Sequence, residues 1–159
     1  MLLPEFDHEM ANTRRTLERI PDERLDFKPH EKSFSLLELA GHLANLPSWT
    51  SVTLDTTELD ISGPFEQPKI ESREDVLAHF DASVAGARRA LEAASADDLR
   101  VPWSMKMGDE VRFTMPRIGV LRSFVLNHNV HHRGQLTIYL RLLDVPLPAL
   151  YGPSADEEA

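Results

Sequence analysis

The amino-acid sequence predicts an all-α fold: an antiparallel four-helix bundle with a long crossover loop between helices 2 and 3 and a small β-hairpin before the last helix. Three observations carry this expectation. Four segments repeat apolar residues every three or four positions, the period of a helix that buries one stripe. Prolines, glycines and serines punctuate the chain between them. One interval, around Gly108 and Asp109, instead alternates polar and apolar residues as a strand pair does. No internal repeat or low-complexity block interrupts the 159 residues, a length that suits a single domain spanning 1–159.

Helix 1 is expected from about Phe6 to Ile20, where Phe6, Met10, Thr13, Leu17 and Ile20 share a face and Pro21 stops the run. The following PDERLDFKPHEKS holds two prolines and mixed charge, and reads as a solvated connection. Helix 2 lies in SLLELAGHLANLPSW, with Ser33 or Ser35 as its cap, because a serine oxygen accepts from the free N–H groups of a first turn. Pro47 should kink that helix or end its regular part. LDTTELDISGPFEQPKI contains Gly63, Pro64 and Pro68 and no helical period, so it reads as the crossing loop. Helix 3 starts at SRED, where Ser72 and Asp75 resemble a capping box, and aligns Val76, Leu77, Phe80, Val84, Ala87 and Leu91. VPWSMKMGDEVRFTM is the hairpin, which needs the helices to pack on because two strands alone are marginal. The last helix runs from about Pro116, a favoured first-turn residue, to Leu143. A Pro-rich and then acidic tail follows.

Charge and composition exclude several functions. The chain carries 17 Lys and Arg against 26 Asp and Glu, a net charge of −9. Such a surface repels polyanions, and no run of basic residues could track a phosphate backbone, so nucleic acid is not an expected partner. No apolar stretch reaches the length of about 18 residues that a membrane span needs. The opening MLLPEFDHEM is acidic where a signal peptide is basic, so a cytoplasmic protein is expected. Cysteine is absent. A metal would therefore be held by histidine nitrogen and carboxylate oxygen, and any thiol chemistry would need an external thiol.

Three of the seven histidines fall within the last helix, in NHNVHHRGQL, residues 127–136. On a wheel of about 100° per residue with His128 at zero, Leu121, Phe124, Val125, Tyr139, Leu142 and Leu143 fall within about 60°, which places His128 near the middle of the inner stripe. His132 lies about 40° to one side and His131 about 60° to the other, with Gln135 on the same face. His128 and His132, four apart, can meet one ion from successive turns. His128 and His131 offer the alternative pair. A third ligand is expected from helix 2, where His42 shares a face with Leu39, Leu46 and Trp49. Glu38, one turn earlier, could accept from the His42 ring. Unpaired imidazoles near a bundle axis would cost about 1–3 kcal/mol each, a cost that an ion removes. His8, His30 and His79 show no such convergence.

The segments LLELAGHLANLPSW, NHNVHHRGQLTIYLR and VPLPALYGPSADE together resemble the DinB/YfiT-like superfamily of four-helix-bundle metalloproteins. The resemblance covers nearly the whole chain, and its pattern is a helix-2 His followed by His-x-x-x-His-Arg-Gly-Gln. It implies a divalent metal ion, zinc or nickel first and iron or manganese next, at His42, His128 and His132. It also implies a homodimer. The superfamily includes S-transferases that use bacillithiol or mycothiol, a maleylpyruvate isomerase whose first last-helix ligand is commonly Glu, and many members without an assigned reaction. His128 stands at that position here, which disfavours the isomerase branch.

The expected function is thus that of a metal-dependent enzyme, a thiol S-transferase with a low-molecular-weight thiol cosubstrate. A metal-dependent hydrolase and a non-catalytic metal-binding stress-response protein are the alternatives. Gln135 and Tyr139 are the candidates for orienting a ligand, although neither is a good base at neutral pH. Arg133, about 140° from His128, suits an ion pair or an interface better than a substrate clamp. Trp49 and Trp103 read as core aromatics or pocket walls. Leu126 and Val130, placed outward beside Gly134, would form a small apolar strip for pairing two chains.

Overall fold

The computed structural model describes residues 2–64 and 68–158. Residues 65–67, part of the expected crossing loop, lie outside the described residues. Helix α1 (Leu3–Leu17) has Pro4 in its first turn, where a missing N–H costs nothing. It ends three residues before Ile20, because Pro21 pushes its predecessor toward extended backbone and the chain closes with tighter bonds from Arg19 to Thr16 and from Ile20 to Leu17. Ile20 is nonetheless fully buried. Helix α2 (Leu36–Asn45) is capped by Ser35 rather than Ser33, in a reciprocal capping box with Glu38. Pro47 sits in a short 3-10 turn, Leu46–Ser48, and helix α3 (Trp49–Asp55) continues beyond it.

Helix α4 (Arg73–Ala93) buries Val76, Phe80, Ser83 and Ala87, with Leu77, Val84 and Leu91 packed at the edge of the core. Ser72 accepts from the Asp75 N–H, while the Asp75 carboxylate accepts from the Glu71 N–H and the Ser72 hydroxyl. The last rod is built from helix α5 (Arg117–Val120), a π-helical segment Leu121–Leu126, and helix α6 (Asn127–Leu142). Helices α4 and α6 each pack against both α1 and α2, and the core lies between them.

The hairpin forms as the alternation predicts. Strands β2 (Pro102–Met107) and β3 (Glu110–Pro116) pair antiparallel around Gly108 and Asp109, and Gly108 supplies the positive φ of 62° that such a turn needs. A register shift lies between Met105 and Lys106. The crossing loop differs from expectation, because Glu58–Asp60 forms strand β1 and pairs parallel with β2. The hairpin is therefore part of a three-stranded mixed sheet in the order β1-β2-β3. Three residues are too few to show a period, and this strand exists because a distant edge offers it partners.

The phase of the last rod is the second correction. Asn129, Arg133, Leu136 and Leu140 are buried, a stripe centred about 110° from His128 on a uniform wheel. Leu142, expected inside, is 57% exposed, and Leu126, expected outside, is 3% exposed. The cause is the π-helical stretch, in which the Asn127 N–H reaches back five residues to the Arg122 carbonyl. Each such turn holds an extra residue, so a wheel carried through it misplaces one side relative to the other. His128 consequently stands at the edge of the core and not at its centre.

Candidate metal centre

Helices α2 and α6 bring His42, His128 and His132 together, with one ring nitrogen from each within 4.8 Å of the others. His42 Nε2 lies 3.4 Å from His128 Nε2, and His132 Nε2 lies 2.8 Å from the same atom. All three side chains are half-buried. The four-residue spacing stacks His128 and His132 on successive turns, and the Ser35 capping box sets the start of the helix that carries His42.

The far side of one of these rings favours metal binding. His132 Nδ1 is 2.7 Å from Gln135 Oε1, an acceptor, which places a proton on Nδ1 and turns the Nε2 lone pair toward the other two rings. His128 Nε2 faces both His42 and His132. Three ring nitrogens thus converge on one point. A cation there would take a lone pair from each ring, and the donor set of three imidazoles suits the borderline divalent metals better than magnesium or calcium.

Electrostatics agree with neutral rings. The His42 imidazole is pushed down to about 4, first by burial and then by the neighbouring His132 and His128. Burial also lowers His128 and His132, opposed by the Phe124 carbonyl and by Gln135 respectively. Neutral imidazole is the form that binds metal.

The remaining sequence candidates divide by partner. Glu38 does not reach the His42 ring; its carboxylate accepts from the Ser35 N–H at 2.6 Å and lies 3.6 Å from Lys28 Nζ. His131 is exposed, with its ring 4.9 Å from that of His132. His79 pairs with Asn45 Oδ1, His8 with Asn12, and His30 with the Lys32 N–H. Tyr139 is buried and donates to the Phe34 carbonyl at 3.0 Å. Trp103 is a core residue with no exposure, bonded to Thr56 Oγ1. Trp49 is half-buried and forms a pocket wall.

Arg133 is 1% exposed and pairs with Glu9 at 2.6 Å, while Tyr151 contacts both. This cluster ties the C-terminal segment to α1 and α6. Sequence reading anticipated the ion pair but not Glu9, Tyr151 or the buried Asn129, whose Oδ1 accepts from Thr13. Only the 129, 133, 136, 140 spacing hinted at them.

A cavity of about 770 Å³ opens beside His42, between α2, α3 and the crossing segment. Its apolar walls include Leu37, Leu46, Trp49, Val52, Leu59 and Ile70. A shallower depression adjoins His128 and His131. His42 and His128 therefore meet the surface through two different openings.

A half-buried histidine cluster between two helices of a four-helix bundle is the mark of a class, and the comparisons specify it. The DinB family profile matches residues 1–159, and the chain belongs to the DinB family. It is similar to the uncharacterized protein YrdA of Bacillus subtilis (strain 168), 25% identical over 161 residues, covering 99% of this chain and 90% of YrdA. Its fold is similar to that of the DinB-like protein YjoA of Bacillus subtilis, with a TM-score of 0.73 and 20% identity over 92% of this chain and 94% of that one. A DinB-like protein of Bacillus cereus ATCC 10987 has a TM-score of 0.73 and 21% identity, covering 94% of this chain and 95% of the other.

Proposed function

We propose that this DinB-family chain binds one divalent ion, zinc or nickel, through His42, His128 and His132, and acts in the cytoplasm as a metal-dependent thiol S-transferase. The observation that carries the metal reading is the convergence of three ring nitrogens within 4.8 Å of one another, those of His128 and His132 lying 2.8 Å apart and His42 closing the third side. An ion with an open position supplies activation of a bound thiol or water.

The surrounding residues favour a thiol. A thiol with a pKa near 8.5 releases its proton to solvent far more readily than water does, so it needs less help from a base. The carboxylate closest in sequence to His42, Glu38, is committed to the α2 cap. The chain has no cysteine, so the thiol arrives as a low-molecular-weight cosubstrate. Gln135 holds the His132 ring, and Tyr139 secures the backbone that carries Phe34 to the cavity rim. The exposed His131 beside His128 favours hydrolysis as the second reading, because it places an imidazole where a base would stand.

We also propose a homodimer through the outer face of α6, where Ile138 and Leu142 are exposed on the same side as Gly134. Leu126, buried within its own chain, is no part of that face.

Elemental analysis of protein purified without chelators, beside His128→Ala, tests the metal reading. Close to one ion per chain in the parent and almost none in the variant is expected. A parent that stays metal-free after reconstitution overturns it. Consumption of a small thiol in the presence of an alkylating electrophile then separates transfer from hydrolysis.

A further inference from the structure

We propose that the cavity beside His42 binds an uncharged small molecule with an apolar body, whose polar head lies at the His42 end, and that it excludes anions of the same shape. Only the destination of the head rests on the metal reading; the preference for an uncharged body rests on the lining.

The volume of about 770 Å³ falls within the range of small-molecule sites. Eight apolar side chains, from α2, the 3-10 turn after it, α3, β1 and the segments before α2 and α4, form most of the wall. Two of the polar lining groups are already engaged: Asn45 Oδ1 bonds to His79, and the Ser48 hydroxyl donates to the Asn45 carbonyl. Among the described lining residues the one charged group is Glu38, an anion, and no lysine or arginine is present. With no ion at the histidines, a carboxylate entering this space would lose hydration without gaining a counter-ion from the described lining residues, and would also meet the Glu38 charge and a chain of net charge −9. An uncharged apolar body gains by the same transfer.

Gly41 adds no side chain to the wall. On α2 it lies between Leu37 and Asn45, one turn from each, so these three line one side of the cavity. A Cβ there would stand 3.4 Å from Ile70 Cδ1, an ordinary van der Waals contact. In the proposed transferase the cavity is the place of an apolar electrophile, which leaves the His128 side for the thiol.

The test uses two probes of similar shape, 1-naphthalenemethanol and 1-naphthoate, titrated into chelator-treated protein, so that no ion can bind the carboxylate, while the indole N–H signals are followed by NMR. The neutral probe should shift Trp49, which lines the cavity, and leave the fully buried Trp103 in place. It should bind about tenfold or more tightly than the anion, since the carboxylate has no partner to replace its water. Val52→Arg should weaken the neutral probe and reverse the order, and Leu59→Lys on another wall should do the same if Val52→Arg does not fold. Metal-free His128→Ala should keep the neutral preference, because the lining is intact. Equal binding of the two probes, tighter binding of the anion, or no movement of Trp49 in the chelator-treated protein overturns the inference, whatever the parent's zinc content. A parent that takes up no zinc but keeps the preference refutes the metal reading alone.

Discussion

At the scale of the residue, the site depends on which ring nitrogen carries a proton. Gln135 accepts from His132 Nδ1, so Gln135→Leu should leave the fold intact and weaken metal binding by about tenfold or more, as removal of a ligand-orienting partner does. Competition with a chromogenic chelator measures this. His79→Ala, whose ring bonds to Asn45, should keep its metal in the same assay, while His42→Ala and His132→Ala should lose theirs. Acid should act through His42. Its ring titrates near 6.5 in the unfolded chain and at about 4 in the folded one. The unfolded state therefore holds the extra proton between those values, and the contribution, complete above about 6.5, is lost as pH falls through that window. Denaturant midpoints of chelator-treated protein from pH 7.5 to 4 should decline, and His42→Ala should flatten the decline. A parent midpoint that is constant over this range would contradict neutral, half-buried imidazoles.

At the scale of the element, each candidate ligand depends on how its helix begins or turns. The Ser35 capping box starts α2 seven residues before His42, and Ser35→Ala should cost about 1 kcal/mol in urea unfolding. The Glu9–Arg133 pair holds α1 against α6 beside His132. Glu9→Ala leaves a buried guanidinium without its partner and should cost about 3 kcal/mol, whereas Tyr151→Phe removes one hydrogen bond and should cost about 1 kcal/mol. Chelator-treated protein is the proper material, since bound metal would add its own linkage to the midpoint. The π-helical stretch has the reverse effect on legibility. Its sequence, LRSFVL, carries no sign of the extra residue per turn, so the wheel that correctly grouped His128 with His132 misjudged Leu126 and Leu142.

At the scale of the whole molecule, pairing of chains through α6 predicts a dimer in sedimentation analysis. Replacing both Ile138 and Leu142 by Glu should yield a monomer that retains its metal; a monomeric parent would refute the pairing. The four helices, their caps and the Gly108 turn were legible in the sequence because periodicity, capping and positive φ are local requirements. The grouping of His42 with His128 and His132 was legible for a related reason, since two amphipathic helices in one bundle must turn their apolar faces toward each other. Strand β1 was not legible, because its hydrogen bonds come from β2, some forty residues later. Nor were the Glu9–Arg133–Tyr151 cluster and the cavity walls, which join side chains that share no local pattern. What the sequence determined by itself was the set of helices and the histidines able to meet, through rules that act within one or two turns. What the tertiary structure alone decided was the phase of the last helix, the convergence of three ring nitrogens on one point, and the largely apolar lining of the cavity, without a lysine or arginine among its described residues. Each of these depends on which distant groups come into contact, and no local rule encodes that.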